Sequence, residues 1–230
     1  MAQERIDSTI SNNACPTPTS PGLEVPLIPE TKPVQQPIGG RVVVLNGFPG
    51  TGKLTILKQA KERLPADRVC LLDNHLLIDP VEAVIPGRSE EHHELRRKIR
   101  GPVFEALRKR ALASDTILMT ACLAGDNERD CAFFQEHLDI VRSTEVPIFW
   151  VNAYCEQEVL ELLVKSPERC QGAKTKLTDV GVLRGMVRTH HLLEPRAGND
   201  GPIRLVAETL DVSGPVELFV DRLLSMVGLL

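Results

Sequence analysis

Five short apolar runs, several of them rich in Val and Ile, recur along the chain, and most of the segments between them carry apolar residues at helical spacing. Apolar runs of this length are typical of strands that are buried on both faces of a sheet. The predicted strands are 41–46, 68–72, 116–120, 146–151 and 203–210. This alternation predicts an α/β fold, in which a five-stranded parallel sheet carries helices on both faces.

Helix starts and stops are visible between the strands. A helix is predicted over 53–63, because Pro65 follows it. Asp79-Pro80 has the pattern of an N-cap followed by proline at the first helical position. A further helix should begin after Ser89, and Gly101-Pro102 should interrupt it before it resumes.

Residues 1–38 have a different composition from the rest, with recurring Pro, Ser and Thr that leave little room for a packed element. Such a segment cannot bury enough apolar surface to form a core, so it is predicted to be a disordered tail. Residues 39–230 are then expected to form one folded domain. The tail has neither a basic start followed by an apolar block nor the acid-poor composition of a transit peptide, and we expect a cytoplasmic protein.

Charge and hydropathy exclude some classes of function. The chain has 230 residues and a formal net charge of -4, which disfavours nucleic acid as a partner. No stretch approaches the roughly 18 consecutive apolar residues of a membrane-spanning helix, so no membrane partner is expected.

The most informative motif follows the first predicted strand and has the form Gly-x-x-x-x-Gly-Lys. Glycines in such a loop let backbone N–H groups turn around a phosphate chain, and the lysine reaches the β- and γ-phosphates. A glycine-rich turn without chemistry is the alternative, but the preceding strand and the following helical pattern favour a nucleotide site. The predicted nucleotide-binding residues are Gly47, Pro49, Gly50, Thr51, Gly52, Lys53, Leu54 and Thr55.

The loop departs from the usual pattern at one position. Leu54 stands where Ser or Thr commonly follows the lysine, and Thr55 comes one residue later as the predicted magnesium ligand. The order Gly-x-Pro-Gly-x-Gly-Lys-x-Thr resembles the loop of adenylate kinase and related small P-loop kinases. This resemblance implies a three-layer P-loop NTPase fold with a lid-like insert, and ATP and Mg²⁺ as cofactors.

Asp73 ends the second predicted strand, where a carboxylate lies on the ligand-binding edge of an open α/β sheet. In small-molecule P-loop kinases, such as shikimate kinase, an acid in this position orients or deprotonates the acceptor hydroxyl. Asp73 is therefore predicted as the catalytic base, and a helix-capping role is the alternative. Asn74 and His75 are predicted to bind the acceptor. Because adjacent side chains point in different directions, a structural hydrogen bond is the alternative role for one of them.

Two basic segments are candidates for contacts to phosphate. In nucleotide-monophosphate kinases, an arginine from the helical insert after the second strand binds the phosphate of the acceptor. The resemblance to small P-loop kinases therefore implies this role for Arg96 or Arg97, and a solvated helix face is the alternative. The segment 166–176 matches the position of the mobile lid in adenylate-type kinases, with Arg169 as the predicted catalytic arginine. A polar surface loop is the alternative there.

The sequence as a whole predicts an ATP- and magnesium-dependent phosphotransferase that binds a nucleoside triphosphate and moves its γ-phosphate to a small hydroxyl or phosphate acceptor. No aspartate closes the third strand, which favours a kinase over a motor or a switch GTPase. Two alternatives remain. Leu54 favours a nucleotide-binding regulatory protein or a simple NTPase without an acceptor. A polynucleotide end kinase would use the same loop, but it would need a basic groove.

Overall fold

The computed structural model describes residues 39–166, 177–196 and 202–230. Five parallel strands form one sheet in the order β2-β3-β1-β4-β5. The strands are Arg41–Asn46 (β1), Val69–Leu72 (β2), Thr116–Ala121 (β3), Pro147–Tyr154 (β4) and Arg204–Asp211 (β5). The predicted five-stranded parallel sheet is therefore confirmed, with strand bounds that differ by only a few residues.

Seven α-helices connect or follow these strands within the described residues. They are Lys53–Glu62 (α1), His75–Val84 (α2), Glu90–Leu112 (α3), Glu128–Asp139 (α4), Gln157–Val164 (α5), Val180–Thr189 (α6) and Val216–Met226 (α7), and a single 3₁₀ turn spans Ala66–Arg68. None of the helices in the described ranges is both long enough and apolar enough to span a bilayer.

Helices pack on both faces of the sheet, as predicted. Val42 and Val44 of β1 point into a core shared with α3 and α4, whereas Val43 and Leu45 point into a second core shared with α1 and α7. All four side chains are fully buried. The continuous apolar run of β1 follows from this arrangement, because successive side chains of a strand point to opposite faces and here both faces are covered.

Two of the predicted helix boundaries are wrong. The helix α3 is continuous over Glu90–Leu112 and contains Pro102, although an interior proline costs about 3 kcal/mol. Its core-facing side chains before and after the proline, Arg100 and Phe104 among them, are buried, so tertiary packing overrides the local preference. Asp79 is likewise not an N-cap. It lies inside α2, where its carboxylate is 3.4 Å from Nδ1 of His75.

The strand order determines which loops can form a site together. β3 lies between β1 and β2, so the carboxyl ends of these three strands are neighbours at one edge of the sheet. This edge carries the glycine-rich loop after β1 and Asp73 after β2. The predicted tail and residues 167–176 of the predicted lid, which include Arg169, lie outside the described residues, and both segments remain predictions.

Candidate functional site

The glycine-rich loop connects β1 to α1, and the backbone at each of its three glycines would not accommodate a larger residue without strain. Gly50 and Gly52 have φ angles of 101° and 70°, a left-handed region that glycine adopts at little cost. A Cβ atom on Gly47 would lie 2.7 Å from the carbonyl oxygen of Ala153. The backbone therefore needs glycine at these positions in order to turn tightly from the strand into the helix.

Lys53 is the first residue of α1, and its side chain folds back over the loop. Its Nζ atom donates hydrogen bonds to the carbonyl oxygens of Gly47 at 2.6 Å and Phe48 at 2.8 Å, and lies 3.2 Å from Oγ1 of Thr51. The positive charge is thereby held at the loop and at the amino end of α1, where a helix favours anions.

The carboxylate of Asp73 lies at the end of β2, and the residue is 6% exposed. Oγ1 of Thr120, on the neighbouring strand β3, lies 3.0 Å from Oδ1 of Asp73 and accepts a hydrogen bond of 2.9 Å from the backbone N–H of Asn74. Because the N–H of Asn74 can only donate, the hydroxyl proton of Thr120 points towards Asp73. The N-cap position of α2 belongs to Asn74, whose side chain makes no capping hydrogen bond, and Oδ1 of Asp73 accepts a hydrogen bond of 3.4 Å from the backbone N–H of His75, the first residue of the helix. The helix-capping role of Asp73 therefore remains the alternative to a catalytic one.

A single cavity of about 1150 Å³ brings most of the predicted site residues together. It is lined by Pro49, Gly50, Gly52, Lys53, Leu54 and Thr55 of the loop region and also by Asp73, Asn74, His75, Arg96 and Arg97. Gly47 and Thr51 do not line it. We call the part formed by Asp73, Asn74, His75 and Arg96 the acceptor end. The roles of all these residues remain predictions.

The arginines of α3 in this cavity differ in their surroundings. Arg97 is exposed, whereas Arg96 is half-buried and its Nε atom is buried without a hydrogen-bond partner. Desolvation, and then the charges of Arg100 and Arg88, lower the pKa of Arg96 to about 10. Arg100, one turn further along, makes two hydrogen bonds of 2.7 Å to the carboxylate of Glu136. Arg96 therefore remains a cation at neutral pH, and the charges of Asp130 and Glu136 offset only part of the lowering of its pKa.

Asp130 and His93 also line the cavity, and their environments shift their pKa values. Burial raises the pKa of Asp130, although its Oδ2 atom accepts a hydrogen bond of 2.9 Å from the N–H of Ala124. Burial lowers the pKa of His93, and nearby cations including Arg129 and Arg96 add to this effect. Both shifts favour the neutral form of the group, because burial penalises charge.

Sequence reasoning missed two features of this site. Thr120 was the end of a predicted strand, and the edge rule that identified Asp73 applies equally to it. Asp130 belongs to α4, and its position in the cavity follows only from the tertiary packing of that helix.

The described residues contain no group of three or more His, Cys, Asp or Glu side chains that could hold a metal ion. Thr55, the predicted magnesium ligand, is exposed and lines the cavity next to the loop. Magnesium in nucleotide sites is commonly bound by one or two protein oxygens together with phosphate oxygens and water. Thr55 fits that mode of binding, and a site made only of protein side chains is not found in these ranges.

Comparison with solved structures supports the fold. A protein from Chloroflexus aurantiacus that has been assigned as a kinase matches with a TM-score of 0.55 at 16% identity, over 82% of this chain and 97% of its own. The tunicamycin resistance protein of Deinococcus radiodurans matches with a TM-score of 0.52 at 16% identity, over 83% of this chain and 97% of its own. A shikimate kinase from Acinetobacter baumannii matches with a lower TM-score of 0.45 at 14% identity, over 83% of this chain and 95% of its own.

No protein-family model and no curated protein matches the sequence. The strand order and these structural matches nevertheless agree, and the chain has the P-loop kinase fold. The predicted fold class is thereby confirmed. At this level of identity the likeness establishes the fold and leaves the substrate open.

Proposed function

We propose that the protein is an ATP- and magnesium-dependent phosphotransferase that acts on a small acceptor. The observation that carries the proposal is the single cavity in which a Gly-x-x-x-x-Gly-Lys loop and the carboxylate of Asp73 occur together. A nucleotide-binding protein without transfer needs only the loop. A buried carboxylate at the neighbouring strand end is what an acceptor hydroxyl requires.

In the proposed reaction, the oxygen of an acceptor hydroxyl attacks the γ-phosphorus. The bond between that phosphorus and the oxygen bridging it to the β-phosphate breaks, and ADP leaves. Asp73 accepts the hydroxyl proton, while the hydrogen bond from Thr120 fixes the orientation of its carboxylate. The enzyme contributes mainly position and charge to such a transfer, so Asp73 also acts by orienting the hydroxyl.

Lys53 supplies positive charge to the β- and γ-phosphates in this proposal. Its ammonium group donates to the carbonyl oxygens of Gly47 and Phe48, and it would exchange these bonds for phosphate oxygens. Thr55 would bind magnesium together with the phosphates. Bound magnesium neutralises the developing charge on the phosphate oxygens. Arg169 keeps its predicted role as a charge-neutralising residue of a lid.

The proposal is tested by transfer of γ-labelled phosphate from ATP into a fractionated small-metabolite extract, with and without magnesium. We expect label in an organic fraction, and its loss when EDTA removes the metal or when Lys53→Ala replaces the loop lysine. Label released only as inorganic phosphate would contradict the phosphotransferase and indicate the simple NTPase that Leu54 favours. Label on added oligonucleotide ends would indicate the polynucleotide kinase.

A further inference from the structure

Asp130 is a second carboxylate in the cavity, and it reaches the cavity from α4 and not from a strand end. Its Oδ2 atom accepts the hydrogen bond of 2.9 Å from the backbone N–H of Ala124, so the fold fixes the position of this oxygen. Its Oδ1 atom has no hydrogen bond within the described part of the chain, and it is not enclosed by protein atoms. One oxygen of Asp130 is therefore used by the fold, and the other is open to the cavity.

Cations lie near Asp130 without contacting it. Burial raises the pKa of Asp130, and the charges of Arg96, His190 and Arg88 offset only part of this rise. Within residues 39–166, 177–196 and 202–230, no hydrogen bond or ion pair joins Asp130 to any of these three side chains, and His190 pairs with Asp126 at 2.9 Å. The cavity is therefore lined by two opposite charges, Asp130 and Arg96, that attract each other but are not in contact.

The charges on the two side chains select the chemical group that can bind both of them. Oδ1 of Asp130 can take a hydrogen-bond donor, whereas the guanidinium of Arg96, which makes no hydrogen bond within the described ranges, can take an acceptor. A carboxylate or phosphate would be repelled by Asp130, and an ammonium group by Arg96 and Arg88. A hydroxyl group is uncharged and both donates and accepts, so it can satisfy the carboxylate and the guanidinium together. Donation to Asp130 would also stabilise its charged form, which burial disfavours.

We propose that Asp130 binds a second hydroxyl group of the acceptor, so that the preferred acceptors are polyols in which one hydroxyl receives the phosphate and another is held by Asp130. This inference rests on the proposed function, because the reacting hydroxyl lies at Asp73 in the same cavity. Asp73 remains the proton acceptor, since Thr120 orients it, and Asp130 takes no part in the transfer step. Asp130 is a specificity-determining residue, and acceptors with a single hydroxyl should be poor substrates.

Hydroxyl binding is tested first without ATP, on the full chain. The probes share one ring and one hydroxyl group: cyclohexanol, the cyclohexanediols in every positional and cis/trans isomer, and the matching aminocyclohexanols and hydroxycyclohexanecarboxylates. Each probe is titrated while the carboxyl carbon signal of Asp130 is followed by NMR, and Asp130→Asn assigns that signal. We expect a saturable shift with at least one diol and none with cyclohexanol. No saturable shift with any diol, or tighter binding of an amino or carboxylate compound, would overturn the inference.

Specificity is then measured as transfer of the γ-phosphate of ATP to the same compounds. For the diol that binds most tightly, Asp130→Asn should raise KM about 10-fold and leave kcat within about 2-fold, because an accepting carboxylate oxygen is replaced by a donating amide. The amide oxygen can keep the hydrogen bond to Ala124, so the fold should persist. Transfer to cyclohexanol should be unchanged. Glu128→Gln is the matched control, because Glu128 is exposed on the same helix and lies outside the cavity.

The outcomes separate the two proposals. Equal KM values for cyclohexanol and the diols, or equal losses in Asp130→Asn and Glu128→Gln, would overturn the second hydroxyl site and leave the phosphotransferase intact. A saturable shift at Asp130 without transfer to any compound would contradict the phosphotransferase and support the hydroxyl site. Transfer that prefers a diol, and that loses this preference in Asp130→Asn alone, would support both.

Discussion

A single run of residues, 47–55, contains the phosphate loop, whereas the acceptor end of the same cavity draws on β2, β3, α2 and α3. The loop is fixed by backbone conformation, with left-handed glycines and a lysine bonded to nearby carbonyls. The acceptor end is fixed by contacts between distant side chains, such as Thr120 with Asp73. The first region is therefore visible in the sequence, and the second depends on tertiary packing.

The largest expected effect concerns the loop. Replacing Lys53 with Ala removes the charge that neutralises the phosphates, and we expect phosphate transfer to fall about 1,000-fold. The fold should persist, because the side chain packs over the loop and not in either core. Lys58→Ala is the control, since Lys58 is an exposed lysine of the same helix that also lines the cavity. Similar losses for both variants, measured as transfer rates, would contradict a specific role for Lys53.

Two arginines of α3, one of them at the acceptor end, should differ in what they contribute to the free energy of unfolding. Arg100→Gln should lower the free energy of unfolding by about 3 kcal/mol, because it leaves the carboxylate of Glu136 without its paired cation. Arg96→Gln should leave the stability unchanged or raise it, because a desolvated charge is removed. Urea denaturation of both variants measures the difference. Destabilisation of equal size would show that Arg96 has a structural role.

A smaller effect is expected at Thr120, which orients Asp73. Thr120→Val retains the shape of the side chain and removes the hydroxyl, so kcat should fall about 10-fold, the effect of one lost hydrogen bond of about 1.4 kcal/mol. ATP binding should be unchanged, because Thr120 contacts Asp73 and Asn74 and not the loop lysine. Thr120→Ser restores the hydroxyl and should restore the rate. A Val variant with the rate of the wild type would contradict the orienting role.

The difference between the two regions also explains what could be predicted from sequence. Apolar runs predicted all five strands, and the loop motif predicted the fold class. The break at Gly101-Pro102 was wrong because burial of Phe104 and its neighbours outweighs the local effect of Pro102. The surroundings of Arg96 could not be predicted, because Arg96 and Arg100 belong to one cationic run, and only the position of Glu136 on α4 distinguishes them.

The central claim is that one cavity holds a donor site and a separate catalytic carboxylate. The most direct test measures ATP binding and γ-phosphate transfer on the same samples of the wild type and Asp73→Asn, with Asp67→Asn as an exposed control from the turn before β2. We predict that Asp73→Asn lowers transfer about 100-fold while ATP binding stays within about 2-fold, and that Asp67→Asn changes neither. Equal loss of binding and transfer in Asp73→Asn, or full transfer without this carboxylate, would contradict the account.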